Sequence, residues 1–158
     1  MQIKKVMEFI QYLDRVEIEI IRIVKQAGYS IKENTPLCKT GKEYIGFLKK
    51  KQKTIVICTD NVKNKEGYTF LKQINNDKFN RIARHIKKAI RHEAVHVGQE
   101  CNNGKVLPIK KKITLNPAKI KALKGSIRIS GEEEKERQAY ILEDKPRLLK
   151  KELKKYCL

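Results

Sequence analysis

Three residues near the middle of the chain have types and a spacing that could do chemistry together. They are His92, Glu93 and His96, in the run Ile90-Arg91-His92-Glu93-Ala94-Val95-His96-Val97. On a helix, positions four apart lie one turn above each other on the same face. His92 and His96 can therefore offer two imidazole nitrogens to one zinc ion, with Glu93 beside them as the general base of a hydrolase. The helical wheel tests this. At about 100° per residue, Phe79, Ile82, Ile86, Ala89, Ile90, Val97 and Cys101 form an apolar arc, and Arg84, Lys87, Lys88 and Arg91 lie opposite it. Glu93 falls inside the apolar arc, about 20° from both Ile82 and Ile86. A carboxylate buried there needs a partner or a raised pKa, and water held by a metal is such a partner. His96 sits at the edge of the arc and His92 just beyond it, so the motif faces the protein interior.

A catalytic zinc also needs a third protein ligand and an open position for water. His85 is excluded, because seven residues of helix place it about 10.5 Å from His92 along the axis. No histidine follows His96, so a carboxylate must serve. The choices are Asp144, Glu136 in Glu136-Arg137-Gln138-Ala139, and Glu143 one heptad beyond Glu136. Glu143 could instead accept a hydrogen bond from a ligand histidine. Glu132, Glu133 and Glu134 read as helix-start charges that complement the helix dipole.

With these residues in place, the chain resembles the gluzincin group of zinc metallopeptidases, in which a downstream helix supplies a glutamate, often within Glu-x-x-Ala. The metzincin branch does not fit, since Gln99 and Asn102 stand where its extended motif has a glycine and a third histidine. The gluzincin resemblance implies a zincin-like domain that binds Zn2+ through His92, His96 and Glu136, with Glu143 as the rival third ligand. It implies Glu93 as the catalytic base and a peptide or protein as substrate. It also implies a strand at 54–59 beside the cleft that aligns an extended peptide, with Tyr140 or Tyr68 near the oxyanion. Members of the group often carry an acidic residue directly after the alanine, where this chain has Tyr140.

The elements that must position these groups follow from the pattern of the chain. Apolar residues at three-four spacing from Ile3 to Val24 predict an N-terminal helix over 2–27, stopped by Gly28. Residues 29–36 read as a loop. Thr40 with Glu43 makes a capping box for a short helix through Lys51, burying Tyr44, Ile45 and Leu48. Thr54-Ile55-Val56-Ile57-Cys58-Thr59 is a strand buried on both faces, bounded by a turn at Asp60-Asn61. Residues 63–76 read as a loop in which Tyr68 to Leu71 could pair as a second strand. The active-site helix covers 77–101 and closes at Asn103-Gly104. One or two short strands are expected within 106–115. Asn116-Pro117 opens a helix through Leu123, ended by Gly125, and Ile127 to Ile129 are extended. Ser130 with Glu133 caps a third-ligand helix over 131–144, before Pro146 kinks or restarts it.

The expected fold class is α+β: one mainly helical domain over 1–158, with a small sheet beside the active-site helix. A length of 158 residues suffices for a single core. No apolar run is long enough to span a bilayer and no secretory h-region is present, so the expected setting is cytoplasmic. There Cys38, Cys58, Cys101 and Cys157, which include no Cys-x-x-Cys pair, are expected to be buried free thiols. The net charge of +19 raises a different function, a basic protein that binds nucleic acid or an anionic surface and whose metal site is structural or vestigial. Its best support is Lys110-Lys111-Lys112 with Lys119, Lys121 and Lys124. Against it, 29 of the 37 basic residues are lysine, whereas phosphate recognition leans on arginine forks.

Overall fold

The computed structural model describes residues 6–66, 76–110 and 114–158. In chain order its elements are a 3-10 helix (Glu8–Tyr12), α1 (Arg15–Gln26), β1 (Ser30–Glu33), α2 (Pro36–Thr40), β2 (Gly46–Lys49), β3 (Thr54–Ile57), α3 (Thr59–Lys65), α4 (Asn76–Cys101), α5 (Pro117–Ser130), α6 (Glu133–Leu142) and α7 (Pro146–Cys157). The fold is α+β, mainly helical with one three-stranded sheet.

Helix α4 is the axis of the molecule. Residues 93–99 are buried without a break, because α1, α6, α7 and the sheet pack around this half of the helix. Such enclosure needs small side chains on the added faces, and Ala94 and Gly98 supply them. A Cβ at Gly98 would lie 3.2 Å from Leu107 Cδ1 and 3.3 Å from Leu153 Cδ2. The helix closes as expected: Asn103 and Gly104 both have positive φ, and the Gly104 N–H donates to the Gln99 carbonyl.

The sheet has the order β1-β3-β2, with β1 parallel and β2 antiparallel to β3. All four residues of β3 are buried. Ile55 and Ile57 join the main core, while Val56 and the following Cys58 face a smaller cluster with Cys38, Tyr44 and Phe47. The unbroken apolarity of this stretch thus reflects burial on both faces, as its sequence suggests.

Several local expectations are overturned. The N-terminal stretch is not one helix over 2–27: the 3-10 turn ends at Tyr12, and α1 starts anew at Asp14, whose side chain and Glu17 form a reciprocal capping box. Residues 1–5 lie outside the described residues. Residues 30–33 are a strand rather than a loop. The helix expected from Thr40 to Lys51 is replaced by α2 and β2, because pairing with β3 outweighs the apolar spacing of Tyr44, Ile45 and Leu48. The strand expected over 54–59 ends at Ile57, and Asp60-Asn61 open α3 instead of forming a turn. Tyr68 to Leu71 lie outside the described residues. No strand forms among the described residues of 106–115.

Helix α5 runs through Gly125 to Ser130, so Ile127 to Ile129 are helical. Asn116 caps its start by accepting from the Lys119 N–H, and Gly131, with φ 70°, ends it. The expected Ser130–Glu133 box does not form. Glu132 is the N-cap residue of α6, which stops at Leu142 rather than 144 before Pro146 opens α7.

The cysteines are not free thiols. Cys38 is bonded to Cys58, tying α2 to the end of β3, and Cys101 to Cys157, tying the end of α4 to the end of α7. Such pairs persist in oxidising surroundings, which counts against the reducing compartment inferred above. No helix among the described residues is long and apolar enough to cross a membrane.

Candidate metal centre

Helix α4 presents His92, Glu93 and His96 on the face that α6 covers, and α6 brings Glu136 against them. The two imidazoles are 5.1 Å apart, centre to centre. His92 Nε2 lies 3.2 Å from Glu136 Oε2, and His96 Nε2 lies 3.5 Å from Glu136 Oε1. His92, His96 and Glu136 each offer a ligand atom, all within 4.8 Å of one another. Ala139, fully buried one turn beyond Glu136, lets the two helices approach. Of the carboxylates considered, Glu136 is the one grouped with both histidines, and of the two Glu143 meets only His92. Glu143 Oε2 is 2.9 Å from His92 Nδ1, on the ring edge away from Glu136.

The donor set fits a cation on the chemistry of its hydrogen bonds. Gln99 Nε2 donates to the Lys135 carbonyl at 3.1 Å, and a carbonyl can only accept, so Gln99 Oε1 must be the atom facing His96. At 2.9 Å from Gln99 Oε1, His96 Nδ1 then carries the hydrogen. In the neutral ring this leaves the Nε2 lone pair pointed at a Glu136 oxygen. His92 repeats the arrangement, with Nδ1–H on Glu143 and Nε2 on the other Glu136 oxygen. Two lone pairs converging on a carboxylate are an acceptor-only set, which a divalent cation satisfies.

Without a cation, protons must do that work. Burial alone would lower the His92 pKa, but hydrogen bonds to Glu136 and Glu143, helped by the Glu93 charge, outweigh it and raise it to about 10. For Glu136, burial acts to raise the pKa, and bonds from His92 and His96 overcome it and hold the carboxyl well below the usual range. Glu93 differs. It is 7% exposed and makes no hydrogen bond with any described residue. Burial pushes its pKa up more strongly than His92 and His96 pull it down. A carboxyl so placed holds a proton more readily than a solvated one.

Two adjoining cavities of about 220 and 530 Å³ open onto this group, and both are lined by Tyr44, Gly46, His92, Glu93, Ser126 and Ile129. One wall is β2 with the residues before it, and the other is the inner side of α5. This corrects the expectation that the strand at 54–59 borders the cleft. β3 is the central strand with both edges paired, so it has no free edge to offer, and β2 is the edge strand that lines the cleft.

The remaining predicted residues are spread around this centre. The Tyr140 ring meets His92 edge-on at 4.6 Å, and its hydroxyl bonds Ser126 Oγ at 2.7 Å. Burial raises the Tyr140 pKa, the Ser126 bond opposes this, and the charges of Glu143, Glu136 and Glu93 add to it. Tyr68 lies outside the described residues. His85 pairs with Glu66 at 3.0 Å and is not part of the metal group. Asp144 is bound by Lys119 and Lys88, and Glu132 by Lys50 and Lys135. Sequence reasoning misses Gln99, Lys119 and Gln138. Gln99 carries a signal, since it lies three residues from His96 on the same side of α4. Lys119, which reaches Glu143 from α5 at 3.2 Å, carries none.

Fold and site together define an α+β domain in which two helices bring a two-histidine, one-glutamate group to the floor of a cleft. The chain belongs to the family described as domain of unknown function DUF8637, whose model matches residues 9–158. Neither a search of curated proteins nor a search of solved structures finds a match.

Proposed function

We propose that this protein is a zinc-dependent metallopeptidase in which His92, His96 and Glu136 hold the metal and Glu93 is the catalytic base. The observation that carries the reading is the convergence of both Nε2 atoms on the Glu136 carboxylate, with Glu93, which has no hydrogen bond among the described residues, beside them. Zinc, when bound there, supplies Lewis-acid activation of water and of the scissile carbonyl. Glu93 would accept the proton of the attacking water and pass it to the leaving amine. The edge strand β2 offers backbone groups to an extended peptide lying in the cleft. Glu143 and Gln99 hold the two imidazoles with Nε2 turned inward. The test is Glu93→Gln. It should retain zinc and lose hydrolysis of a mixed peptide pool by at least about 100-fold, the scale of lost general-base catalysis. Unchanged turnover in a zinc-loaded variant would refute the mechanism.

One observation favours the second reading, a surface for polyanions. Lys121, Lys124 and Arg128 lie three and four residues apart on the exposed side of α5 and form no ion pair among the described residues. Binding to single-stranded RNA or anionic vesicles that weakens steeply with salt, and is lost in a Lys121→Glu/Lys124→Glu variant, would support it.

A further inference from the structure

Gln99 is 1% exposed, one of the most deeply buried polar side chains in the molecule, and its amide is fully engaged. We propose that Gln99 and Gln138 form a positioning pair that sets His96 for metal binding and fixes the ligand helices α4 and α6 against each other. This rests on the zinc-site reading above.

The pair works through hydrogen bonds whose directions are all forced. Gln138 Nε2 donates to the Leu107 carbonyl at 2.7 Å, so Gln138 Oε1 is left to accept from the Leu107 N–H at 2.8 Å and from Gln99 Nε2 at 3.0 Å. Gln99 Nε2 gives its second hydrogen to the Lys135 carbonyl at 3.1 Å. With both hydrogens spent, Gln99 presents only its oxygen to His96 Nδ1. The chain of bonds therefore determines which nitrogen of His96 is free for a metal, and it starts from a backbone amide rather than from a titrating group.

The same bonds set the geometry between helices. Lys135 and Gln138 flank Glu136 on α6, and His96 and Gln99 are three residues apart on α4. A slide or rotation of α6 by one residue would break the Gln99 bonds and move Glu136 away from His96 together. Leu107 adds a third element. It lies in the segment that follows α4, where no strand forms among the described residues, and Gln138 serves its N–H and C=O as a strand partner would. The two histidines are thus held differently: His92 by the carboxylate of Glu143, His96 by a neutral amide anchored in backbone.

Gln99→Met keeps the length and burial of the side chain and removes its polar atoms. Gln138→Met leaves the His96–Gln99 contact possible but removes its anchor. Zinc affinity is measured by competition with a chromogenic chelator, on protein shown by circular dichroism to be folded. Loss of a partner to a ligand histidine costs about 10–100-fold in metal affinity, so Gln99→Met should fall in that range. Gln138→Met should lose several-fold in the same direction. In the cobalt-substituted proteins, the visible band should shift in Gln99→Met, which loss of stability alone would not produce. Wild-type zinc affinity and an unchanged cobalt band in the folded Gln99→Met protein would overturn the proposal. Should that variant not fold, unchanged affinity in Gln138→Met would overturn it equally. A wild-type protein that binds no zinc would instead defeat the zinc reading itself.

Discussion

If His92 is a metal ligand as proposed, proton and metal compete for it. In the metal-free protein its pKa is raised to about 10, so near neutrality the ring is an imidazolium held between Glu136 and Glu143. A metal can take Nε2 only as that proton leaves. Zinc affinity should therefore rise at least about tenfold per pH unit across the neutral range, with proton release visible as a buffer-dependent heat in calorimetry. A flat profile would mean that His92 is not a ligand. The same shift acts on metal-free stability with a fixed sign. A folded-state pKa above the ordinary 6.5 stabilises the fold fully below about pH 6.5, and this contribution disappears as pH rises through about 10. Denaturant midpoints of the metal-free protein should fall over that window, and His92→Gln should flatten the fall.

At the scale of elements, α4 does most to build the site, and it is also the element most legible in the sequence. Its apolar arc, its closing Asn103-Gly104 and the inward placement of Glu93 are local properties that a wheel displays. The pairing of Glu136 with both histidines is half legible: the Glu-x-x-Ala spacing marks it, but only the packing of α6 separates it from Glu143. The sheet is hidden for a physical reason. β1 and β2 are four residues each and pair only with β3; β1 does so in parallel from 24 residues away, which leaves no local trace, whereas β2 pairs antiparallel with β3 across the short connection after Lys49. The spacing of Tyr44, Ile45 and Leu48 suits a helix, yet only Leu48 of the three lies in β2, so the cleft wall is assigned to the wrong strand. Helix α5 outruns its expected end because Gly125 keeps a helical conformation within it and Gly131, with positive φ, supplies the real stop. Close packing also makes Gly98 testable. Gly98→Val would press on Leu107 and Leu153, at contacts already near 3.2 and 3.3 Å for a bare Cβ, and overpacking of this kind costs about 1–3 kcal/mol. Urea denaturation should show a loss in that range, and no loss would mean that the α4–α7 interface is looser than described.

For the whole molecule, the two disulfides tie α2 to the end of β3 and α4 to α7. Cys38–Cys58 lies under Tyr44 and Phe47 at the cleft wall, and Cys101–Cys157 fastens α7 to the end of α4 across a separation of 56 residues. Their pairing was invisible in the sequence because the four cysteines fall far apart and share no motif. Thiol titration of the denatured, unreduced protein should find no free thiol. Replacing Cys101 and Cys157 by serine should lower stability by about 2–5 kcal/mol. Full thiol reactivity with unchanged stability would return the cysteines to the buried-thiol state expected from sequence. The central claim is that His92, His96 and Glu136 form a metal site, and it is tested most directly by elemental analysis of protein purified without added metal, beside His96→Ala. Zinc near one per chain in the first and near none in a folded His96→Ala protein is the predicted result. No zinc in the wild-type protein even after equilibration with the free ion, or equal zinc in both proteins, would contradict it.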